Sequence, residues 1–589
     1  MPSLRRRRPT AALTALLALV MPAAGCLSVP SVADEASASP DGAATNVVRT
    51  AWAGRTPGEL YARGEVRAFE MKQGGERIGT SWGRYVGPEP GEPDHHRFET
   101  RIELEIPGRR VRSSGRLVLD ARGHLVRGYE RSEAAELVFE RKGDAIVIAL
   151  SDGSRADEIA YAPEQADAAV MAHAAILHEE IMFGLRDLVE GELAWRLISL
   201  SGGAPQPWSA RVRISDRRDP VTAQIETNLG ESITFRGGRI TSLTAAGSEL
   251  EIRELPNAKW PAWTIEGPRR LAYELPEDAS FSLREVELPG ASNEPVLWGE
   301  VTIPNEGKGP FPGVVYISST GQEDRHGFAG PPPVDLGSHA ITDALASAGF
   351  VVMRFDERGR GRSAPAPVSF DGQVEDARRA YRTLMVQPEV DPDRIVLVGH
   401  GEGGLRAVAV AAGRGPSIRG VALLATPGRP YREVFLHQAE ATLARLPPTL
   451  RKDAMEQQEA ILDAIASGKE APIELRDQAQ WIREVMAFKP EPLIAQIDGE
   501  LWLAQGGKDF EVDPRADLAV LVGIARRKNK SYRVARYPDL DHRFMFEPEQ
   551  STPTRYLEQE RTVDETFLSD LVAWTTSVTA PRPASKGRR

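Results

Sequence analysis

Arg394-Ile-Val-Leu-Val-Gly-His-Gly-Glu-Gly-Gly404 decides the fold of this chain. Ile395–Val398 is a continuous apolar run, the pattern of a strand buried on both faces. Glycines at 399, 401, 403 and 404 then permit a sharp turn, and Leu405–Ala412 is rich in helix formers. A strand that passes through such a bend into a helix lifts the residue at its apex clear of the sheet. The apex here is Gly401. Glycine accepts the strained backbone at no steric cost, but it brings no side chain to the place that the bend exposes.

Outward from this stretch, strand and helix alternate. Pro312–Ile317, Phe350–Phe355, Arg394–Val398, Gly420–Ala425, Glu500–Gln505 and Ser531–Tyr537 read as strands. Ser338–Ala348, Val374–Val386, Gly403–Ala412, Asp517–Arg526 and Val563–Thr575 read as helices, and Tyr431 to about Ala495 as a long helical region. Apolar strands separated by helices predict an α/β architecture, a parallel sheet covered on both faces. Ligands of such sheets bind at the carboxyl ends of the strands.

The loops at those ends carry further motifs. They are Thr320-Gly-Gln-Glu-Asp-Arg325, Phe355-Asp-Glu-Arg-Gly-Arg-Gly-Arg-Ser363, Leu503-Ala-Gln-Gly-Gly-Lys-Asp509 and Leu540-Asp-His542. With Gly399–Gly404 they resemble, in order and spacing, the loops of the α/β-hydrolase fold. The branch is that of dienelactone-hydrolase-like esterases and serine aminopeptidases, and the likeness covers 283–578, with a helical lid at about 428–495. It implies that Asp509 orients His542, that His542 is the base, and that backbone amides of Thr320 and Glu402 form the oxyanion hole. It also implies a serine at 401 and His-Gly where this chain has Ser318-Ser319.

Without that serine, the expectation is a hydrolase-like domain with weak or absent turnover that binds a small ester, amide or peptide-like ligand, or a partner. The alternative is a working hydrolase of carboxylic esters or short peptides. A water activated by His542, or a hydroxyl of Ser318, Ser319 or Thr320 within its reach, would then attack. No cofactor or metal is expected. The basic run Arg354–Arg362 reads as a structural turn, and Val434, Leu436, Ile461, Leu462 and Ile465 as the apolar core of the lid.

Residues 48–280 differ in pattern. Ile102-Glu-Leu-Glu-Ile106 alternates apolar and charged residues, and Arg116–Leu119, Leu137–Glu140, Ala145–Ala149, Ala210–Ile214, Ala223–Thr227, Ser232–Phe235 and Glu249–Ile252 are similar short strand-like stretches. This predicts a mostly antiparallel β domain, a curved sheet or open barrel, interrupted by a helix from Pro163 to about Val189. His173 and His178, beside Glu179 and Glu180, are spaced for opposite sides of a helix and suit a partly solvated amphipathic surface better than a metal site. His95 and His96 fall in a stretch rich in Pro, Gly and Asp, which reads as a loop.

The N-terminus reads as an address. Arg5–Arg8, the apolar Ala11–Val20 and Ala23-Ala-Gly-Cys26 form a secretory signal over 1–25 that resembles that of a bacterial lipoprotein. Cys26, the only cysteine, would carry the lipid, and 26–47 would be a flexible tether. The resemblance implies a chain anchored by lipid to a membrane of the bacterial cell envelope; the alternative is ordinary secretion. Leu27 after the cysteine favours the outer membrane. Of 73 basic residues four lie in 1–25, leaving 69 against 84 acidic ones, a net charge of −15. That balance argues against nucleic acid as a partner. A basic tail at 579–589 ends the chain.

Overall fold

The computed structural model describes residues 47–48 and 54–581, apart from 107–108, 133–135, 144, 152–155, 162–168, 172–175, 185–187, 190, 200–205, 217–221, 228–230, 246–249, 266, 268–270, 293, 320–322, 330–333, 445–447, 470, 472–474, 476–477, 553–554 and 556–560. The signal, Cys26, nearly all of the tether, His173, Thr320 and most of the basic tail therefore lie outside the described residues. Two compact units divide the chain between Arg270 and Leu271. Residues 271–280, expected at the end of the β domain, fall in the second unit. Tyr273 donates there to Asp343 at 2.9 Å and stacks on His326 with ring centroids 4.4 Å apart.

The first unit is a fifteen-stranded sheet. Its pairings are antiparallel except that of Ala169–Met171 with Leu197–Ser199. Among the described residues the end strands Ala156–Tyr161 and Ala169–Met171 do not pair with each other, which leaves the sheet open. Alternation along each strand sends Phe98, Leu117, Phe139 and Ile148 into one apolar cluster and Phe69, Ile225, Ile233 and Phe235 into another.

Three expectations need correction here. The described helix runs only Ile176–Gly184, while Ala169–Met171 and Leu188–Val189 are strands, because edge pairing outweighs local helix propensity. Nor is that helix a solvated surface. Ile176, Leu177, His178, Glu180 and Ile181 are all buried. Glu180 accepts Tyr61 Oη (2.7 Å), Arg67 Nε (3.0 Å) and the Ile240 amide (2.9 Å). His178 Nε2 meets the Gly123 carbonyl at 3.2 Å, and burial pushes its ring down to about 4. Likewise His95 and His96 lie in the strand Glu92–Ile106, whose long hairpin with Glu76–Glu89 absorbs the Pro/Gly positions as register shifts.

The second unit is built on eight strands. We label them β1 (Phe281–Leu288), β2 (Leu297–Pro304), β3 (Phe311–Ile317), β4 (Val351–Phe355), β5 (Val390–His400), β6 (Ile418–Leu424), β7 (Glu500–Gly506) and β8 (Tyr532–Tyr537). Their order is β1-β2-β4-β3-β5-β6-β7-β8. The pairs β1–β2 and β2–β4 are antiparallel and every later pair is parallel. Helices α1 (Ser338–Ser347), α2 (Phe370–Met385), α3 (Glu402–Ala411), α4 (Tyr431–Leu443), α5 (Pro448–Ala466), α6 (Ala479–Ala487), α7 (Pro490–Ile494), α8 (Ala516–Arg527) and α9 (Glu565–Thr579) complete it.

Both faces of this sheet are covered. Ala407, Val410, Leu384 and Ile524 pack on one side with Val315, Leu397 and Leu503. Leu345, Phe567, Leu571 and Trp574 pack on the other with Val314, Val396 and Trp502. Helices α4, α5 and α6 form a third cluster on α2 and α3, in which Val434, Leu462 and Ile465 are buried and Leu436 and Ile461 partly so. Arginines of the run Arg354–Arg362, which begins inside β4, are tied into structure, as expected. Arg354 meets Glu300 and Asp343, and Arg358 meets Asp376.

Candidate active site

The elbow follows directly from its glycines. β5 ends at His400, and α3 begins at Glu402 with Gly401 as N-cap at φ +52°, ψ −123°. An L side chain adopts such a backbone only under strain. The Gly401 amide donates to the Leu424 carbonyl of the adjacent β6 at 2.7 Å, which pins the apex.

Asp509 and His542 converge on this apex from β7 and β8. Asp509 is almost fully buried just past β7, and its Oδ1 accepts the amides of Glu511 (2.8 Å) and Val512 (2.9 Å). Its Oδ2 accepts Gln505 Nε2 and faces His542 Nδ1, both at 2.9 Å. The histidine's loop is held by Asp541, whose Oδ1 accepts the amides of Arg543 (2.9 Å) and Met545 (3.1 Å). His400 supports it from below. Its ring stacks on His542 at 4.9 Å, and its Nε2–H donates to the His542 carbonyl at 2.8 Å. Burial, with the charge of His542 beside it, pushes the His400 ring down to about 3.

The geometry leaves His542 Nε2 facing the apex, where a hydroxyl meets it. That hydroxyl belongs to Ser319, whose Oγ lies 3.3 Å from Nε2. A Cβ built on Gly401 would fall on Ser319 Oγ and lie 3.1 Å from His542 Nε2. Ser319 thus stands in the space that a residue-401 side chain would fill. Ser318 is turned away, its Oγ donating to Glu357 at 2.5 Å. The sequence named both serines as alternatives; only the fold distinguishes them. What it did not single out is Glu511, whose carboxylate lies 3.8 Å from His542 Nε2. Its only sequence signal was nearness to Asp509.

Burial works against a charged ring at 542, but the carboxylates of Asp509 and Glu511 more than offset it and push His542 up to about 9. Among amides that could meet an oxyanion, that of Ser319 is taken by Glu323 Oε1 at 3.2 Å, and that of Thr320 lies outside the described residues. The Glu402 amide opens α3, where the first turn has no intrahelical acceptor. The Glu402 side chain points elsewhere, into the helices above. It accepts Trp481 Nε1 at 3.1 Å and Tyr431 Oη at 3.3 Å, and burial pushes its carboxyl up to about 7.

Residues 337–549 match the family model described as serine aminopeptidase, S33. The chain is 26% identical over 350 residues to esterase EstD of Thermotoga maritima, an alignment that spans 58% of this chain and 78% of that protein. Among solved structures, a Pyrococcus furiosus esterase is similar at 16% identity, covering 53% of this chain and 95% of its own, with a TM-score of 0.35. A puromycin-hydrolyzing peptidase of Mycobacterium tuberculosis is similar at 14% identity over 86% of this chain and 69% of its own, with a TM-score of 0.36. The family match and the strand order together make the second unit an α/β-hydrolase fold.

Proposed function

We propose that the second unit hydrolyses carboxylic esters, or short amides, with Ser319 as nucleophile in place of the absent elbow serine. The observation that carries this is the 3.3 Å approach of Ser319 Oγ to His542 Nε2, in line with the 2.9 Å contact of His542 Nδ1 and Asp509. In the neutral ring Nδ1–H donates to Asp509, which leaves Nε2 free to take the Ser319 proton. Oγ bonds to the acyl carbon as that proton moves to Nε2. The Glu402 amide, at the positive end of α3, faces the oxygen that gains charge. The imidazolium then protonates the departing alcohol or amine as its bond to carbon breaks. Water then adds to the acyl carbon as Nε2 takes its proton, and the acyl–Oγ bond breaks as the imidazolium returns that proton to Oγ, which releases the acid and restores Ser319.

Gly401 favours a second reading, in which the unit binds an ester- or peptide-like ligand without turning it over. In either case Cys26 would anchor the chain by lipid in the bacterial envelope.

A fluorophosphonate probe and short-chain nitrophenyl esters separate the two. The adduct is expected on Ser319, to be lost in both Ser319→Ala and His542→Ala, with Ser319→Ala lowering kcat by at least ~10³-fold. Gly401→Ser alone should add little, because Ser319 Oγ occupies its space. Combined with Ser319→Gly it should move the adduct to position 401. No labelling of the folded protein would leave the ligand-binding reading, and labelling that survives Ser319→Ala would overturn the role of Ser319.

A further inference from the structure

Behind Ser319 lies a buried ring of polar groups that the reaction above does not use. Arg406, on α3, is fully buried. Its Nη2 donates to the carbonyls of Ser318 (2.7 Å) and Ser319 (3.3 Å), and its Nη1 donates to Glu357 Oε1 at 2.9 Å. The same Glu357 oxygen accepts Ser318 Oγ at 2.5 Å. From the other side Glu323 Oε1 accepts the Ser319 amide at 3.2 Å, and its Oε2 accepts Ser338 Oγ at 2.6 Å. Ser338 Oγ is in turn 3.0 Å from Tyr316 Oη. The amide and the carbonyl of Ser319 are therefore both held by side chains rooted in the core.

An elbow nucleophile is fixed by its strained turn; a loop serine has no such turn and needs other restraints. We infer that Arg406 and Glu323 are positioning residues for the reaction, clamping the Ser319 backbone so that its hydroxyl stands over Gly401 against His542 Nε2. The inference rests on Ser319 being the nucleophile. It explains why a residue as costly to bury as Arg406 is fully enclosed beside three carboxylates, those of Glu357, Glu402 and Glu323. Any cation would supply the positive charge that faces those carboxylates. A forked guanidinium is needed to reach Glu357 and two carbonyls together.

Arg406→Lys separates these roles in the full-length protein, because lysine keeps the charge and loses the fork. It should still fold, with a lowered melting temperature for the buried hydrogen bonds it loses, and leave KM within about twofold. Its kcat and its rate of fluorophosphonate labelling should fall together, by about 100-fold, as expected of a nucleophile displaced by about 1 Å. Glu323→Gln keeps an acceptor for the Ser319 amide and should retain most activity, whereas Glu323→Ala should fall as Arg406→Lys does. Parent-like kcat in folded Arg406→Lys would overturn the clamp. So would equal impairment of Glu323→Gln and Glu323→Ala, a comparison that stands even if Arg406→Lys does not fold. Activity that survives Ser319→Ala would instead overturn the nucleophile on which the clamp rests.

Discussion

Glycine at 401 and serine at 319 are complementary. The first removes a side chain from the apex and the second fills the vacated space with a hydroxyl. Beside them Asp509, and after it Glu511, set when His542 can act. With Asp509 on Nδ1 and Glu511 near Nε2, His542 is pushed up to about 9, so at neutral pH it is an imidazolium and cannot accept the Ser319 proton. Activity is therefore expected to rise with pH through a midpoint near 9. Glu511→Gln removes one of the two nearest carboxylates and should move that midpoint down, which a kcat/KM profile from pH 6 to 10 would detect; an unmoved midpoint would dismiss Glu511 as the cause. The stability effect has the opposite sign. A histidine raised from about 6.5 in the unfolded chain stabilises the fold fully below that pH, and the contribution is lost as pH climbs through 9. Asp509 and His542 were legible through the ordered motifs that resemble α/β-hydrolase loops, in which each follows a strand at the sheet's carboxyl edge. Singling out Ser319 was not possible from sequence, because its place depends on Arg406, 87 residues further on.

At the scale of elements, the strand–turn–helix unit was legible from glycine spacing, and so was the helical cover above it. The join between the two was not. Tyr431 on α4 and Trp481 on α6 both donate to Glu402, the first residue of α3. The cover is thus latched by hydrogen bonds to the turn beside the nucleophile as well as by apolar packing around Val434 and Ile482. Periodicity reveals apolar faces, but it says nothing of an indole N–H meeting a carboxylate 79 residues away in sequence. Glu402 is buried, so removing a donor leaves it with unmet demand. Trp481→Phe should cost about 1–3 kcal/mol of unfolding free energy. Thermal or urea unfolding would measure it, and a cost near zero would mean that the latch contributes nothing. The histidine loop shows a related balance. Phe544 holds a positive φ of 57°, unfavourable for a residue with a Cβ, while its ring stacks on Phe567 of α9 at 3.9 Å.

At the scale of the molecule, the chain carries two separate sets of cores. The clusters around Leu397, Val396 and Val434 draw only on residues after Leu271, and those around Phe98 and Ile225 only on residues before it. Alternation made the strands of the first unit readable one by one. The buried helix among them was misread, since its polar residues His178 and Glu180 look solvent-facing until Arg67, Tyr61 and Gly123 are brought round to them. Every group placed in the proposed chemistry, from Ser319 and Glu323 through Arg406 to Asp509 and His542, belongs to the second unit. A unit with its own closed core and a complete constellation should fold by itself. Residues 271–589 produced alone are therefore expected to give a cooperative thermal transition. They should label at Ser319, with kcat on a small soluble ester within about threefold of the full chain, as for an independent domain. A well-folded fragment without labelling would instead show that residues before 271 supply something the chemistry needs, and would move the search for it into the fifteen-stranded sheet.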